Sequence, residues 1–581
     1  MLFRSNLSPK LIAMTKGLQT YDYIVFILYF LIIASYGYWI YRRKQSAGAL
    51  STDFFLAEGQ LTWWAIGASL IASNISAEQF IGMSGNGFRI GLAISAYEWI
   101  AAVSLVVVAI FFMPVYLKNK IYTMPQFLKT RYNETVAMIM AIFWLFLYIF
   151  VNLTSILYLG AIAINNLTGG SHFHLIMIGL ALFALFITLG GMKVIGYTDV
   201  IQVLVLTVGG LITSYIALTV VAEKFGLGSN AMAGLNHLIK VAPDHFKMIF
   251  DKPTASATQK EIDNYSSLPG LAMMAAGMWV ANLNYWGCNQ YITQRALGAD
   301  LKTARNGILF AAFLKLLMPV LVVLPGIAAY VLYQNGELQS EMLSNGALNQ
   351  DNAYSSVVGF LPIGLKGLSM AALTAAIVAS LAGKANSIST IYSLDIYKKY
   401  INKEASDKKI VSRGRAMIIV SLIIAIIINW QDALGIGGKG GFEFIQKYTG
   451  YISPAIFPVF LLGFFWKRTS SNAAITGIIV GVILSIVFDK FMVGWAGNET
   501  ILYTAYANGR GGFEIPYLIQ MGWVFVFTFI TIVLVSILDK KGHTQEHKLQ
   551  EDKNQYALSN ANIAMVIIVL GLVAAMYIRF W

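Results

Sequence analysis

Two polar clusters interrupt otherwise apolar stretches of this 581-residue chain, Ser73-Asn74-Ile75-Ser76-Ala77-Glu78-Gln79 and Asn282-Leu283-Asn284-Tyr285-Trp286-Gly287-Cys288-Asn289-Gln290. Between and beyond them lie Glu98, in Tyr97-Glu98-Trp99, and Lys315, in Phe313-Leu314-Lys315-Leu316. Phe442, Gln446 and Thr449 are spaced i, i+4, i+7 and share one helix face. Amides that donate and accept (Asn74, Gln79, Asn282, Gln446), one acid, one base and the rings of Tyr285 and Trp286 suit a neutral polyol, whose hydroxyls do both and whose face stacks on an aromatic. Each has a plainer reading. Asn and Gln in membrane helices often bond only a neighbouring helix, and Glu98 and Lys315 either line a cavity or simply pair with each other. The six histidines, His172, His174, His237, His245, His543 and His547, fall in loops or at helix edges, and Cys288 is the single cysteine. Neither a disulfide within the chain nor a catalytic constellation at depth follows from them, so the chain does not read as an enzyme.

A second set suits a hard cation such as sodium, which wants weakly charged oxygen ligands. A helix break releases carbonyls that can serve; Ala72 and Ile75 flank the first one. Ala376 and Ser380 are offered by a later apolar segment, and Asp199 is placed to guide an ion. The plainer reading of Ser380 is a bond to its own helix backbone.

These residues must be held by membrane helices. The chain is 57% hydrophobic and 12% charged, with mean hydropathy +0.66; a soluble chain would be about a quarter charged. A span needs about 20 mostly apolar residues, and fourteen segments qualify: 21–41, 63–85, 91–117, 135–165, 172–191, 197–223, 268–294, 306–334, 359–397, 411–430, 441–466, 472–490, 515–538 and 561–580. No run of alternating ten-residue strands points to a barrel. The net charge of +13 sits in short loops, among them Arg42 and Arg43, Lys118 and Arg131, Arg295 and Arg305, and Lys398 to Arg415. That placement excludes a nucleic-acid reading. It also puts the odd-numbered loops in the cytoplasm and both termini outside a cytoplasmic (inner) membrane. Residues 1–20 read as an extension whose true start is Met14, not as a secretory signal. Nothing points to an obligate protein partner.

The two interrupted segments are five spans apart and head two successive blocks, 63–223 and 268–466. An odd count inverts the second block relative to the first, and broken helices at matching places in inverted repeats mark a transporter site. The expectation is an all-α polytopic membrane protein of about 14 helices. A five-plus-five inverted-repeat (LeuT-type) core would have one leading helix, 21–41, and three trailing helices within 472–581. The polar stretch 539–560 reads as a solvated cytoplasmic linker.

The run from Gly67 to Gly85, GASLIASNISAEQFIGMSG, resembles the sodium/solute symporter family, as do Tyr122–Phe127, Thr198–Gln202, Trp279–Leu283 and Asp395–Tyr397. The likeness extends from about residue 21 to 470 and is similar to the sugar-carrying branch. It implies alternating access, with Asn74, Gln79, Glu98, Asn282, Lys315 and Gln446 bonding the sugar. Tyr285 would be the inner gate beside Trp286, Met83, Tyr97 and Phe442 the outer lid, and Ala72, Ile75, Ala376 and Ser380 the sodium ligands. The function implied is sodium-coupled symport of a monosaccharide of the galactose or glucose type. Relatives carry inositol or sialic acid, and a transporter-like sensor would want a signalling domain, which does not follow the last segment. Three positions depart from the family: Ala101 replaces a serine, Ala379 a hydroxyl residue, and Lys384 an apolar one. Lys384 is one helical turn from Ser380. It either reaches the ion site or Asp199, making transport sodium-independent or proton-linked, or it snorkels into the cytoplasmic vestibule.

Overall fold

The computed structural model describes residues 17–43, 51–57, 61–254, 256–344, 346–433, 435, 446–447, 449–493, 505–539, 549–550 and 552–581. Phe442, most of the predicted extension 1–20, the start of segment 441–466 and much of the linker 539–560 lie outside the described residues. Ten described helices are long and apolar enough to cross a bilayer. The other predicted segments are present in shorter pieces. Phe173–Leu189 and Ser453–Phe465 are short apolar helices, and segments 63–85 and 268–294 are each interrupted. Helices begin where loop side chains cap them: Asn133 accepts from Val136 N–H at 2.9 Å and Asp300 from Thr303 N–H at 3.0 Å. Two small antiparallel hairpins, Leu343–Ser344 with Ala347–Leu348 and Tyr506–Ala507 with Phe513–Glu514, depart from a purely helical reading. A two-residue ladder is too short to leave a sequence period.

Burial separates core from rim. Of the apolar 18-residue stretch within Leu365–Ile401, 89% is buried inside the protein, against 17% within Asn560–Arg579 and 22% within Thr20–Arg43. Rim helices with so much apolar surface outside the protein face the lipid. At the centre, helix Trp63–Asn74 packs against Leu301–Lys315, Met192–Lys224 and Leu365–Thr390. The continuation of the broken helix, Ser84–Arg89, packs on Met318–Gln334. Gly326 makes that crossing possible, since a methyl there would lie 2.0 Å from Ser84 O.

Several basic residues read as loop charges are buried clamps. Arg131 donates to Gly463 O (2.8 Å) and Trp466 O (2.9 Å), and Arg305 to Gln555 O (2.9 Å) and Ala557 O (2.8 Å). A guanidinium has five donors and satisfies loop carbonyls that lipid and protein would leave unpaired. The described end of the stretch 539–560 is fastened by Arg305, by an ion pair from Lys118 to Asp552 (3.1 Å) and by Gln550 N–H to Asn119 Oδ1 (2.7 Å), while Gln550, Asp552 and Asn554 stay exposed.

Candidate functional site

The first break falls where the polar cluster predicts it. Helix Trp63–Asn74 ends as Ile75 turns extended (φ −78°, ψ 122°), and the chain resumes in the π-helical turn Glu78–Met83. Ser76 N–H, which would close a helical turn onto Ala72 O, donates instead to Gln79 Oε1 at 2.9 Å. One amide thus braces the break from inside.

The second break falls at the C-terminal end of its predicted cluster, at Asn289. Helix Gly277–Cys288 runs unbroken through Asn282, Tyr285 and Trp286, with interruptions at Ala276 (φ −96°, ψ −110°) and Asn289 (φ −101°, ψ 124°). Asn282 Nδ2 donates to Met278 O at 2.9 Å, which spends one of its two donors on its own helix. The turn at Asn289 is held by Tyr148, whose hydroxyl donates to Asn289 Oδ1 and accepts from Gln290 N–H at 3.1 Å.

Between the two broken helices lies a small cavity of about 60 Å³, room for a few waters as it stands. All six residues expected to bond a sugar line it: Asn74, Gln79, Glu98, Asn282, Lys315 and Gln446. Tyr97, Ala101, Tyr285, Trp286 and Thr449 complete much of the wall. Lys315 and Glu98, 1% and 3% exposed, form an ion pair, so they line the cavity and also pair with each other. Lys315 donates a second bond to Asn74 Oδ1, and Asn74 Nδ2 donates to the Tyr285 hydroxyl at 2.9 Å. The Tyr285 and Trp286 rings meet edge-on, 5.2 Å between centroids, and the Lys315 ammonium stands 5.2 Å from the Trp286 ring centre. Tyr97 hydrogen-bonds the Tyr517 hydroxyl. Met83 is buried in the π-helical turn and is not among the residues lining the cavity.

A second polar junction joins Trp63–Asn74 to Leu365–Thr390. Ala72, Ile75, Ala376 and Ser380 are all buried there. Ser380 Oγ donates to Ser73 O at 3.0 Å, across to the broken helix and not to its own backbone. Lys384 Nζ donates to Ser380 Oγ at 3.0 Å and stands 4.4 Å from the Tyr291 ring centre. Lys384 is 3% exposed, so it does not snorkel, and the partner is Ser380 rather than Asp199. Asp199 accepts from Ser69 Oγ at 2.5 Å. Arg295, counted from sequence as a loop charge, is buried and donates to Ser69 Oγ (3.1 Å) and Ser69 O (3.2 Å). Neither Arg295 nor Glu78, which lies within electrostatic reach of Lys384, was singled out from sequence. The signal lay in view: a charge inside a cluster of apolar and amide residues needs a buried partner.

A bundle of apolar spans wrapped around two broken helices, with a polar cavity between the breaks, is a membrane transporter and not an enzyme. Residues 54–481 match the family described as the Sodium:solute symporter family, and the chain belongs to it. It is 42% identical over 575 residues to the sodium/glucose cotransporter of Vibrio parahaemolyticus, covering 97% of this chain and 99% of that one. It is 32% identical over 492 residues to the sodium/myo-inositol cotransporter 2 of Sus scrofa, covering 81% of this chain and 70% of that one. The fold is that of a solved structure described as the substrate-bound outward-open state of a Na+-coupled sialic acid symporter, with TM-score 0.72, 20% identity, and 90% and 98% of the two chains covered. The core is thus the five-plus-five inverted-repeat arrangement expected from the spacing of the breaks.

Proposed function

We propose that this chain carries a monosaccharide of the galactose or glucose type into the cell by alternating access, in cotransport with sodium. The observation that carries the reading is the cavity. Asn74, Gln79, Glu98, Asn282, Lys315 and Gln446 offer both donors and acceptors around one space flanked by the Tyr285 and Trp286 rings, which is what a ring of neutral hydroxyls requires. The names of the relatives from Vibrio parahaemolyticus and Sus scrofa support a sugar or polyol. A carboxylate-bearing solute such as sialic acid fits less well, because Lys315, the one ammonium in the wall among the described residues, is already paired with Glu98.

In this reading Asn74 couples solute to gate. Its amide holds Lys315 on one side and the Tyr285 hydroxyl on the other; a sugar that takes over either bond changes how firmly Tyr285 is held. Tyr285 in turn faces Tyr291, 5.6 Å between ring centroids, and Tyr291 faces Lys384. Sugar cavity and ion junction are thus two aromatic rings apart, close enough for each to bias the other through one moving helix. Positive charge in the odd-numbered loops supports the cytoplasmic membrane with both termini outside. The test is isothermal titration of the purified protein with galactose, glucose, myo-inositol and sialic acid. Heat saturating with galactose or glucose supports the reading. Saturation by inositol or sialic acid alone reassigns the solute.

A further inference from the structure

The ion junction contains a cation of the protein's own. Trp63–Asn74 presents its C-terminal carbonyls at the break, the negative end of a helix dipole. Half-helix ends of this kind coordinate the coupling ion in transporters built on broken helices. Here an ammonium already stands beside the one hydroxyl of the expected ligand set. Lys384 Nζ donates to Ser380 Oγ at 3.0 Å, and the Ser380 hydroxyl in turn donates to Ser73 O at 3.0 Å. On the other side of the break, Glu78 is the acid that acts on Lys384 electrostatically. Through Ser380 the lysine is tied to Ser73, just before the break. The residue next to Ser380 is Ala379, which brings no second hydroxyl. The Tyr291 ring covers the ammonium at 4.4 Å and supplies cation–π stabilisation.

We infer that Lys384 is a tethered cation that takes the place of a free one at the junction of the broken helix with Leu365–Thr390, so that sodium enters only as the ammonium leaves. The inference rests on the ion-site part of the proposed function and is independent of the solute. A lysine ammonium is a compact point charge with three donors, and here it spends one on Ser380 Oγ, the one hydroxyl of the expected ligand set. A sodium ion at Ser380 would sit within a few ångströms of it, where like charges repel strongly even with screening. In its present place the lysine closes the junction without sodium and makes sodium a weak competitor.

The test uses the full-length protein purified in detergent, with thermal unfolding followed as sodium replaces choline at constant ionic strength. K384M removes the charge at similar volume, and K384R keeps it. The sodium concentration at half-maximal stabilisation is expected to fall by at least about tenfold in K384M, the scale set by removing a like charge at close range. K384R should behave like the wild type. K384Q serves if K384M does not yield monodisperse protein. Equal midpoints in wild type and the neutral variants, or no sodium response in any of them, would overturn the inference. Galactose added to the wild type in choline and in sodium reads the sugar site separately; failure there removes the sugar and leaves the sodium comparison standing.

Discussion

Replacing Lys315 by methionine tests the cavity most sharply, because its two roles separate. Lys315 and Glu98 are 1% and 3% exposed and form an ion pair, with Asn74 Oδ1 as the second acceptor for the ammonium. K315M keeps the volume and strands the Glu98 carboxylate. Breaking a buried pair by removing one partner costs about 3–5 kcal/mol. That cost is expected to appear in thermal unfolding as a large fall in midpoint. Sugar affinity should also fall, since a hydrogen bond to a charged group is worth about 1.5–3 kcal/mol, or a factor of about 10 to 150 in Kd. The double variant E98Q/K315M removes the stranded charge. Most of the lost stability is expected to return, while sugar binding, measured by titration calorimetry, stays at the level of K315M or below. If K315M binds galactose like the wild type, or if the double variant is no more stable than K315M, then the pair is neither a shared structural charge nor part of a sugar site.

Other consequences follow from single contacts. Y285F removes the hydroxyl that accepts from Asn74 at 2.9 Å and keeps the ring; sugar affinity should fall about 2- to 10-fold, the value of one neutral hydrogen bond. Y285A should in addition speed efflux of preloaded sugar from vesicles. G326A places a methyl 2.0 Å from Ser84 O, and overpacking of this kind costs about 1–3 kcal/mol. The control G179A, with nothing within 4 Å of its added methyl, should leave the unfolding midpoint unchanged or slightly raised. His245, in the loop turn Pro243–Phe246, stacks on Tyr330 with centroids 3.8 Å apart and donates Nε2–H to Phe88 O at 3.1 Å. Burial lowers its pKa from 6.5 to about 4. The unfolded chain therefore binds the proton first, and stability falls as pH drops from 6.5 towards 4, by up to about 3 kcal/mol. H245F keeps the stacking and should flatten that part of the pH profile of thermal unfolding.

The first break was legible because Ser73 to Gln79 place five polar side chains in an apolar run that has no other use for them. The second was legible by the same rule, though only to within the cluster Asn282–Gln290. Asn282 is polar but bonds Met278 O, and within the cluster the backbone departs from the helix at Asn289; composition marks a polar stretch and does not say which residue gives up its helical bond. Gln446 and Thr449 were legible from spacing, and both line the cavity. Arg131, Arg295 and Arg305 were misread because counting loop charges treats every guanidinium as solvated, whereas these three are buried and spend their donors on neighbouring groups, chiefly backbone carbonyls. Lys384 showed the limit most clearly. Its helical spacing from Ser380 was plain in the sequence, but only the packing of Leu365–Thr390 against the broken helix decides that the side chain turns to Ser380 and Tyr291 instead of running out to solvent.

The central claim is that the cavity between the broken helices carries a sugar across the membrane. Uptake of radiolabelled galactose and glucose into proteoliposomes of the purified protein, under an inward sodium gradient, with potassium in place of sodium, and under a proton gradient, tests it directly. The expected result is saturable accumulation above the outside concentration under the sodium gradient, abolished in E98Q/K315M. Uptake no greater than that of empty liposomes under every gradient, or a flux that rises linearly with sugar and never saturates, would contradict it.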